Sequence, residues 1–348
     1  MEVRFYTSDM DLLGIMENQT SLVWTRKYYE PGNVRLFAPI TAENIRLTQP
    51  GNLVWLRGAV EAAVIEDRAM EDSPQNARIE VNGRFLSSYM DRRLIRPKIT
   101  FKGKTEVAMR KILSDAVAIP RVQLGTLNGF NDRVSFQATY KNLLAYEEKL
   151  AQSSGIGFRF RPDFTEKIIY FETWKGTDRS RTQSRNNRVI FSESYANLNN
   201  IYYRENEQKY KNVVYISGTG SNDSRIVTSY GDATGLERRE LHVDARDLVK
   251  EEGMTDDEYI ELLVQRGNEK QKDYQKISSI SCETDASANF TYKQNYDLGD
   301  IVTVHKKDWG ITVNLRIVEI QEIYERGILQ VSPVFGSTLP ETIDWRDD

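Results

Sequence analysis

The sequence predicts an α+β protein that is mostly β, with antiparallel strands at both ends of the chain and helices only between them. Two matching patterns support this prediction. The first forty residues contain strand-like segments at 2–6, 21–25 and 33–37. The last fifty contain strand-like segments at 301–304, 311–320 and 328–331. A chain that begins and ends in antiparallel β structure and carries helices inside it is typical of a β scaffold with insertions.

Turn residues divide the first ninety residues into short strands. Tyr29-Glu-Pro-Gly32 and Gln49-Pro-Gly-Asn52 each place Pro beside Gly, which is typical of a tight turn between strands. Glu80-Val-Asn-Gly-Arg84 contains Asn-Gly, which favours the type I′ turn of a hairpin tip. Three such turns predict a meander or a small barrel.

Helical spacing first appears after Thr105, which is a candidate cap for a helix that ends near Ala116. A strand is predicted at 133–137, and a second helix follows from Tyr140 to Gly155. Two more strands are predicted at 157–161 and 167–172. This order of elements predicts a small α/β unit.

The polar segment 178–188 carries four arginines and predicts a loop or linker rather than a nucleic-acid contact. Strands are predicted again at 188–191 and 212–217, and Gly218 to Asp223 form a turn cluster. Thr255 and Glu258 have the spacing of a capping box, so a third helix begins there and runs toward Tyr274. From Ile280 to Val334 the pattern is β again.

Composition narrows the functional classes. A length of 348 residues predicts two or more domains, and a net charge of −4 argues against tight non-specific binding to nucleic acid. It leaves open a weakly acidic passage through which DNA slides. Cys282 is the single cysteine, so an intrachain disulfide and a cysteine-rich zinc site are excluded, and we expect a buried thiol.

No targeting or spanning segment is visible. The N-terminus lacks a basic region followed by an apolar one, so no secretory signal is predicted. The longest nearly apolar stretch, 58–65, is too short to cross a bilayer. We therefore predict that the chain is made in a cytoplasm and is not inserted into a membrane.

Phosphate-binding motifs are incomplete. Gly103-Lys-Thr105 lies between an apparent strand and a helix, but Lys98 stands where the first glycine of a P-loop is required. Gly218-Thr-Gly220 lacks the third glycine of a dinucleotide motif, since Asp223 takes that place. No cofactor is predicted.

Catalytic residues are equally scarce. His242 and His305 are the only histidines, both within alternating strands, so neither a nucleophilic triad nor a catalytic zinc site is predicted. A pair of carboxylates, as in glycosidases, stays open because sequence cannot place two of them together. No catalytic, cofactor-binding or metal-ligating residue is assigned, and the chain is predicted not to be an enzyme.

Aromatic side chains have two interpretations. Trp24, Tyr28-Tyr29 and Tyr202-Tyr203 could form a stacking platform for sugars or bases. Aromatic residues at strand positions more often fill cores and subunit interfaces, which is the interpretation we favour.

Several segments resemble one family. Near the start these are Phe5-Tyr6 with Asp9 and Leu13-Gly14, then SLVWTR at 21–26 and YEPG at 29–32; near the end they are YDLGDIVTV at 296–304, RIVEI at 316–320 and VFG at 334–336. The chain resembles bacteriophage tail hub proteins, including Pepy-type phage hubs. The family comprises the N-terminal hub part of siphophage tail-associated proteins and the baseplate hub of contractile tails. These motifs are structural and carry no information about catalysis.

The resemblance implies two tail-tube-like antiparallel β-barrel domains with smaller α/β insertions. The expected division is a first barrel at 1–95, an inserted α/β domain at 96–185, a second barrel at 186–235 plus 278–336, a helical insertion at 236–277 and a C-terminal tail at 337–348. It also implies a homotrimeric ring with a central channel. Its partners would be the tail tube or distal tail protein and a spike or tip protein, with DNA at most passing through the lumen.

One departure bears on function. Many siphophage relatives continue into a fibre or a wall-degrading domain, whereas this sequence stops at Asp348. The resemblance then implies that a partner carries that function, as in a contractile tail, a tailocin-like particle or a short hub. Two alternatives stay open: a carbohydrate- or receptor-binding tail module, and a cryptic cell-wall hydrolase.

Overall fold

The structure, a computed structural model, describes residues 1–73, 76–96, 98–195, 197–220, 225–283, 289–325 and 327–336. The expected tail at 337–348 and residues 221–223 of the predicted turn cluster lie outside these residues. Within them the chain is mostly β, as the sequence predicted, and it has antiparallel strands at both ends.

The N-terminal β unit contains seven strands and one short helix: β1 (Val3–Tyr6), β2 (Leu12–Met16), β3 (Ser21–Lys27), β4 (Asn33–Ala38), α1 (Ala42–Leu47), β5 (Leu53–Leu56), β6 (Ala63–Ser73) and β7 (Asn76–Phe85). They pair in the order β3-β4-β7-β6-β5-β1-β2. Every strand contributes side chains to one core, among them Phe5, Trp24, Leu36, Val54 and Val81. The sheet therefore curls around its own apolar face.

Two local predictions in this unit need correction. Gln49 to Asn52 do form a turn, but it follows α1 rather than a strand. Thr41 caps this helix by accepting a hydrogen bond from the Asn44 amide at 3.1 Å. The helix was missed because six residues are too short to show helical periodicity. Tyr29 to Gly32 link β3 and β4, as predicted.

Asn82-Gly83 is not a hairpin tip, because both residues lie within β7 and pair with strands on both sides. Beside Gly83, β6 has a bulge between Ile65 and Asp67. A Cβ at Gly83 would lie 2.2 Å from the Val64 carbonyl oxygen. The glycine therefore serves close backbone approach at the bulge rather than a turn.

Gly83→Ala is expected to destabilise the chain by about 3 kcal/mol, because overpacking against backbone forces the strands apart. Urea unfolding measures the change. Gly103→Ala is the matched control, since its added Cβ would meet only the Phe101 ring, at 3.0 Å. Equal losses in the two variants would contradict the role of the bulge.

An α/β unit follows the N-terminal β unit. After a 3₁₀ helix at Leu86–Arg92, it contains β8 (Leu94–Ile95), β9 (Ile99–Lys104), α2 (Thr105–Asp115), β10 (Val122–Leu124), β11 (Arg133–Ala138), β12 (Lys141–Asn142), α3 (Leu143–Ser154), β13 (Gly157–Asp163) and β14 (Ile168–Trp174). The predicted helices and strands are confirmed here. The predicted cap at Thr105 is wrong, because Thr105 is the first helical residue and Lys104 precedes it without a capping hydrogen bond from its side chain. Gly155 ends α3 in the left-handed conformation, with a φ of 64°.

The remaining elements are β15 (Ile190–Ser192), β16 (Asn199–Asn206), β17 (Val213–Ser217), β18 (Val227–Tyr230), β19 (Glu240–Asp244), α4 (Asp256–Gln271), β20 (Ile277–Glu283), β21 (Ile301–Lys306), β22 (Ile311–Glu325) and β23 (Ile328–Gly336). Strands β16, β20, β23, β22, β21 and β15 form the C-terminal β unit. The capping box of Thr255 and Glu258 is present at the start of α4. Cys282 is a buried free thiol, as expected.

Strands β17, β18 and β19 form a separate sheet in the order β18-β17-β19. They share a core with α4 that includes Val214, Ile216, Tyr259 and Leu263. The expected division between residues 235 and 236 falls inside this sheet, since β17 and β18 precede it and β19 follows it. None of the helices in the described part of the chain combines the length and apolar character that crossing a bilayer requires.

Candidate functional site

The two β units meet along one strand pair. Strand β3 of the N-terminal unit pairs antiparallel with β22 of the C-terminal unit, from Ser21 opposite Glu325 to Lys27 opposite Glu319. Backbone hydrogen bonds thus continue from β2 at one edge to β16 at the other. The similar ends of the chain are therefore joined into one sheet, and this junction is the candidate functional site.

Arg26 is a charged side chain buried at the junction, with 6% of its surface exposed. Its Nη1 donates to Asp297 Oδ1 at 2.6 Å and to the Tyr292 hydroxyl at 2.7 Å. Its Nε lies 3.8 Å from Glu61 Oε2. Burial disfavours the charge, but these three neighbours outweigh burial and raise the pKa of Arg26, so it stays protonated.

The network continues from Tyr292 to β22. The Tyr292 hydroxyl donates to Glu322 Oε1 at 2.7 Å, and the Tyr324 hydroxyl donates to Glu322 Oε2 at 2.6 Å. Lys293 pairs with the same carboxylate at 3.0 Å. Glu322 is 1% exposed, and its charge is compensated by these donors. Segments 292–297 and 319–325 are thereby held against β3.

Glu61 is the least satisfied member of the network. It is 3% exposed, and its Oε2 accepts no hydrogen bond from a described residue. Burial raises the pKa of Glu61 to about 7, although Arg26 and Arg159 oppose the shift. Glu61 therefore titrates near neutral pH at the centre of the junction.

Because its folded pKa exceeds the ordinary value of 4.5, Glu61 favours folding below pH 4.5 and loses this advantage as pH rises to about 7. The contribution is on the order of 3 kcal/mol at full effect. In urea unfolding between pH 4.5 and 8, Glu61→Gln should show a flatter stability profile than the parent. Glu80→Gln, at a half-buried position of β7 with Arg35 as its partner, is the control and should keep the parental slope. Superimposable profiles for the parent and Glu61→Gln would contradict the assignment.

Tyr28 is the second side chain that joins the units at the junction, and it is fully buried. Its hydroxyl lies 3.1 Å from the carbonyl oxygens of both Gly155 and Trp174, and it accepts from the Gly176 amide at 3.3 Å. The Arg316 guanidinium lies 5.1 Å from the centre of its ring. One side chain from the end of β3 therefore contacts the α/β unit and the C-terminal β unit at once.

Two glycines make room for the Tyr28 ring. A Cβ at Gly157 would lie 2.5 Å from Tyr28 Cε2, and one at Gly299 would lie 2.4 Å from the same atom. Gly299 also has a φ of +94°, which side-chain-bearing residues rarely adopt. The three units therefore approach one another more closely around Tyr28 than larger residues would allow.

The structure separates the aromatic residues that the sequence grouped. Trp24 and Tyr28 belong to cores, as the favoured interpretation predicted, whereas Tyr202 is 55% exposed. Tyr203 lies near Trp309, with ring centres 6.3 Å apart. Arg26 and Glu61 were missed by sequence reasoning, although a charged residue inside the apolar strand SLVWTR was a usable signal.

The two histidines lie on strands, as predicted. His305 in β21 contacts the Thr312 hydroxyl at 2.8 Å. His242 in β19 lies with its Nε2 3.0 Å from Ser217 Oγ, on the neighbouring strand β17. Gly103, the glycine of the incomplete P-loop pattern, lies in the extended strand β9. No group of three or more potential metal ligands occurs among the described residues.

Solved structures with a similar fold include three tail proteins, two of them from prophages. A tail protein from Neisseria meningitidis MC58 has 13% identity and a TM-score of 0.59, with 97% of this chain and 96% of that chain covered. The 43 kDa tail protein of prophage MuSo2 from Shewanella oneidensis has 13% identity and a TM-score of 0.57, with 96% and 98% covered. Prophage tail protein gp18 from Listeria monocytogenes EGD-e has 12% identity and a TM-score of 0.55, with 96% and 94% covered. Identities this low show the fold alone.

Sequence comparison gives the family. No curated protein matches the chain. The family model described as Siphovirus ReqiPepy6 Gp37-like protein matches residues 2–337, which is nearly the whole chain. The resemblance to phage tail proteins is thereby confirmed. The chain belongs to the Siphovirus ReqiPepy6 Gp37-like family of phage tail proteins.

Proposed function

We propose that the chain is a non-enzymatic hub protein of a phage tail or phage-tail-like particle, which forms a homotrimeric ring between the tail tube and the tip or spike. The β3–β22 pair carries the proposal, because it fixes two β units in one chain through a continuous sheet. A hub needs two tube-like units that are held in a fixed position relative to each other. Buried polar contacts at Arg26 and the packing of Tyr28 supply that rigidity.

The proposed geometry follows from the number of units. Three chains with two β units each present six units around one axis, which adapts a six-fold tube to a three-fold tip. A ring closed by repeated contacts between unlike surfaces is a common way to assemble identical subunits. We assign the first tube-like unit to 1–95 and the α/β insertion to 96–185. We assign the second tube-like unit to the C-terminal β unit. The unit inserted into it begins at β17 rather than at residue 236.

The proposed partners are a tail tube or distal tail protein on one side and a spike or tip protein on the other. DNA passes through the lumen, or ions do so in a tailocin. The net charge of −4 supports a lumen that is acidic overall, because basic side chains there would bind phosphates and slow the passage of DNA. An arginine-lined channel in the assembled particle would contradict this.

Light scattering tests the oligomeric state directly. The purified chain is expected to have a solution mass near three times 40.2 kDa, and this mass should be stable over a range of concentrations at moderate salt. Addition of the tube or spike partner is the companion measurement. A chain that stays monomeric with both partners present would contradict the ring.

A hydrolase is the second candidate, because the Ser217–His242 distance of 3.0 Å lies within the range of a nucleophile and its base. Ser217 is 6% exposed, which leaves its hydroxyl little access to a polymeric substrate. Cell-wall digestion by the purified chain, abolished in Ser217→Ala, would favour the hydrolase. Specific glycan binding would instead favour the receptor-binding alternative.

A further inference from the structure

A polar cleft of about 1010 Å³ opens between β11, β16 and the C-terminal end of α4. Its volume matches the upper end of the range of about 300–1,000 Å³ for ligand pockets. Its charged lining is mainly basic: Arg133, Arg204, Lys209, Lys272 and Lys276 against Asp132 and Asp273. Lys276 is paired with Glu207 at 2.6 Å, but the remaining basic residues still outnumber the two aspartates in a chain whose net charge is −4.

Lys272 shows that the positive charge of the cleft is incompletely compensated. Its Nζ is buried and donates no hydrogen bond to a described residue. Burial lowers the pKa of Lys272 to about 8, although nearby Glu269 favours the charged form. A buried ammonium without a hydrogen-bond acceptor is costly, and an added carboxylate would remove that cost. Arg204, from β16, adds a second cation to the same cleft.

The chain itself supplies carboxylates at this place. Gly336 lines the cleft, and residues 337–348 follow it directly. This acidic segment has the sequence STLPETIDWRDD, with four carboxylates and one arginine. Twelve residues reach at most about 40 Å when extended, so every part of the cleft lies within their range.

Apolar residues of the segment also have a matching surface. A groove of about 340 Å³ adjoins the cleft and shares Arg133, Val134, Gln265 and Asn268 with it. Ile260 and Val264 of α4 line this groove. Ile343 and Trp345 flank Asp344 in the acidic segment. Cleft and groove together offer the mixture of basic and apolar contacts that this sequence requires.

We propose that the cleft between β11, β16 and α4 is the docking site for the acidic segment 337–348 of the same chain, with Lys272 and Arg204 binding its carboxylates. Docking in this way joins the end of β23 to α4 and β11, so it fastens the inserted unit to the C-terminal β unit. The proposal is independent of the oligomeric state and of the hub function.

Hydrogen–deuterium exchange of the full chain, read by mass spectrometry, tests the docking. The backbone amides of 338, 339 and 341–348 should exchange about tenfold more slowly than those of the free synthetic peptide 337–348, because one charge-assisted hydrogen bond contributes about an order of magnitude. The double variant Arg204→Gln/Lys272→Gln should return them to the peptide rate. The control Arg35→Gln/Lys111→Gln removes two exposed cations outside the cleft and should leave the protection unchanged.

A second variant distinguishes loss of docking from misfolding of the cleft. Glu341→Gln/Asp344→Asn/Asp347→Asn/Asp348→Asn alters only the acidic segment and should also abolish protection. Peptide-like exchange in the parent chain, or undiminished protection in this neutralised variant, would overturn the proposal. Protection that increases with protein concentration would place the segment on a neighbouring copy and would equally overturn docking within one chain.

Discussion

Tyr28→Ala is expected to destabilise the chain by about 4 kcal/mol, the usual cost of removing a buried aromatic side chain. Tyr28 is fully buried, and its hydroxyl contacts the carbonyl oxygens of Gly155 and Trp174. The cavity would open where three units meet, and Gly157 and Gly299 carry no side chains that could fill it. Equilibrium urea unfolding, followed by circular dichroism, measures the loss.

Two companion variants separate the contributions of Tyr28. Tyr28→Phe keeps the ring and removes only the hydroxyl, so its cost should be about 1 to 2 kcal/mol. Tyr202→Ala removes a tyrosine that is 55% exposed, and its cost should stay below about 0.5 kcal/mol. If Tyr28→Ala cost no more than Tyr202→Ala, Tyr28 would not hold the units together.

Arg26→Met is expected to cost about 3 to 5 kcal/mol at neutral pH, because removing one member of a buried ion pair leaves the others uncompensated. Asp297 would lose its charged donor and Tyr292 would lose the cation beside its hydroxyl. Glu61 would lose the nearest guanidinium, so its pKa should rise further. Urea unfolding at pH 7 gives the size of the effect.

Neutralising the partners should recover part of this loss. Arg26→Met/Asp297→Asn/Glu61→Gln removes the stranded charges, and replacement of a whole buried ionic group by neutral residues is often nearly neutral for stability. Arg35→Met is the control, since Arg35 pairs with Glu80 on the surface and such a pair is worth about 0 to 1 kcal/mol. A triple variant less stable than Arg26→Met would show that packing, not charge, dominates at the junction.

Local sequence patterns predicted most of the elements. The capping box at Thr255 and the glycine stop at Gly155 marked two helix ends correctly, since both depend on neighbouring residues only. Asn82-Gly83 misled because a glycine suits both a turn and a position opposite a bulge, and only the pairing partner distinguishes them. The pairing of β19 with β17 was missed for a similar reason, since a sequence does not show which strands pair across the expected boundary at 235/236.

The junction itself was beyond sequence reasoning. Strands β3 and β22 were both recognised as strands, but their pairing joins residues about three hundred positions apart, as in the Ser21–Glu325 hydrogen bond. No periodicity reports contacts at that separation. The buried position of Arg26 and Glu61 depends on this pairing, so their role became visible only in the folded chain.

The β3–β22 pair also has a consequence for synthesis on the ribosome. Strand β3 leaves the ribosome long before its partner, since 304 residues separate Ser21 from Glu325. At about 5–20 residues per second, the edge of β3 waits about 15–60 s for β22. Unpaired strand edges attract other chains, so nascent chains on one messenger are exposed to mutual aggregation during this interval. Slower translation of the region before β22 should therefore lower the yield of folded protein.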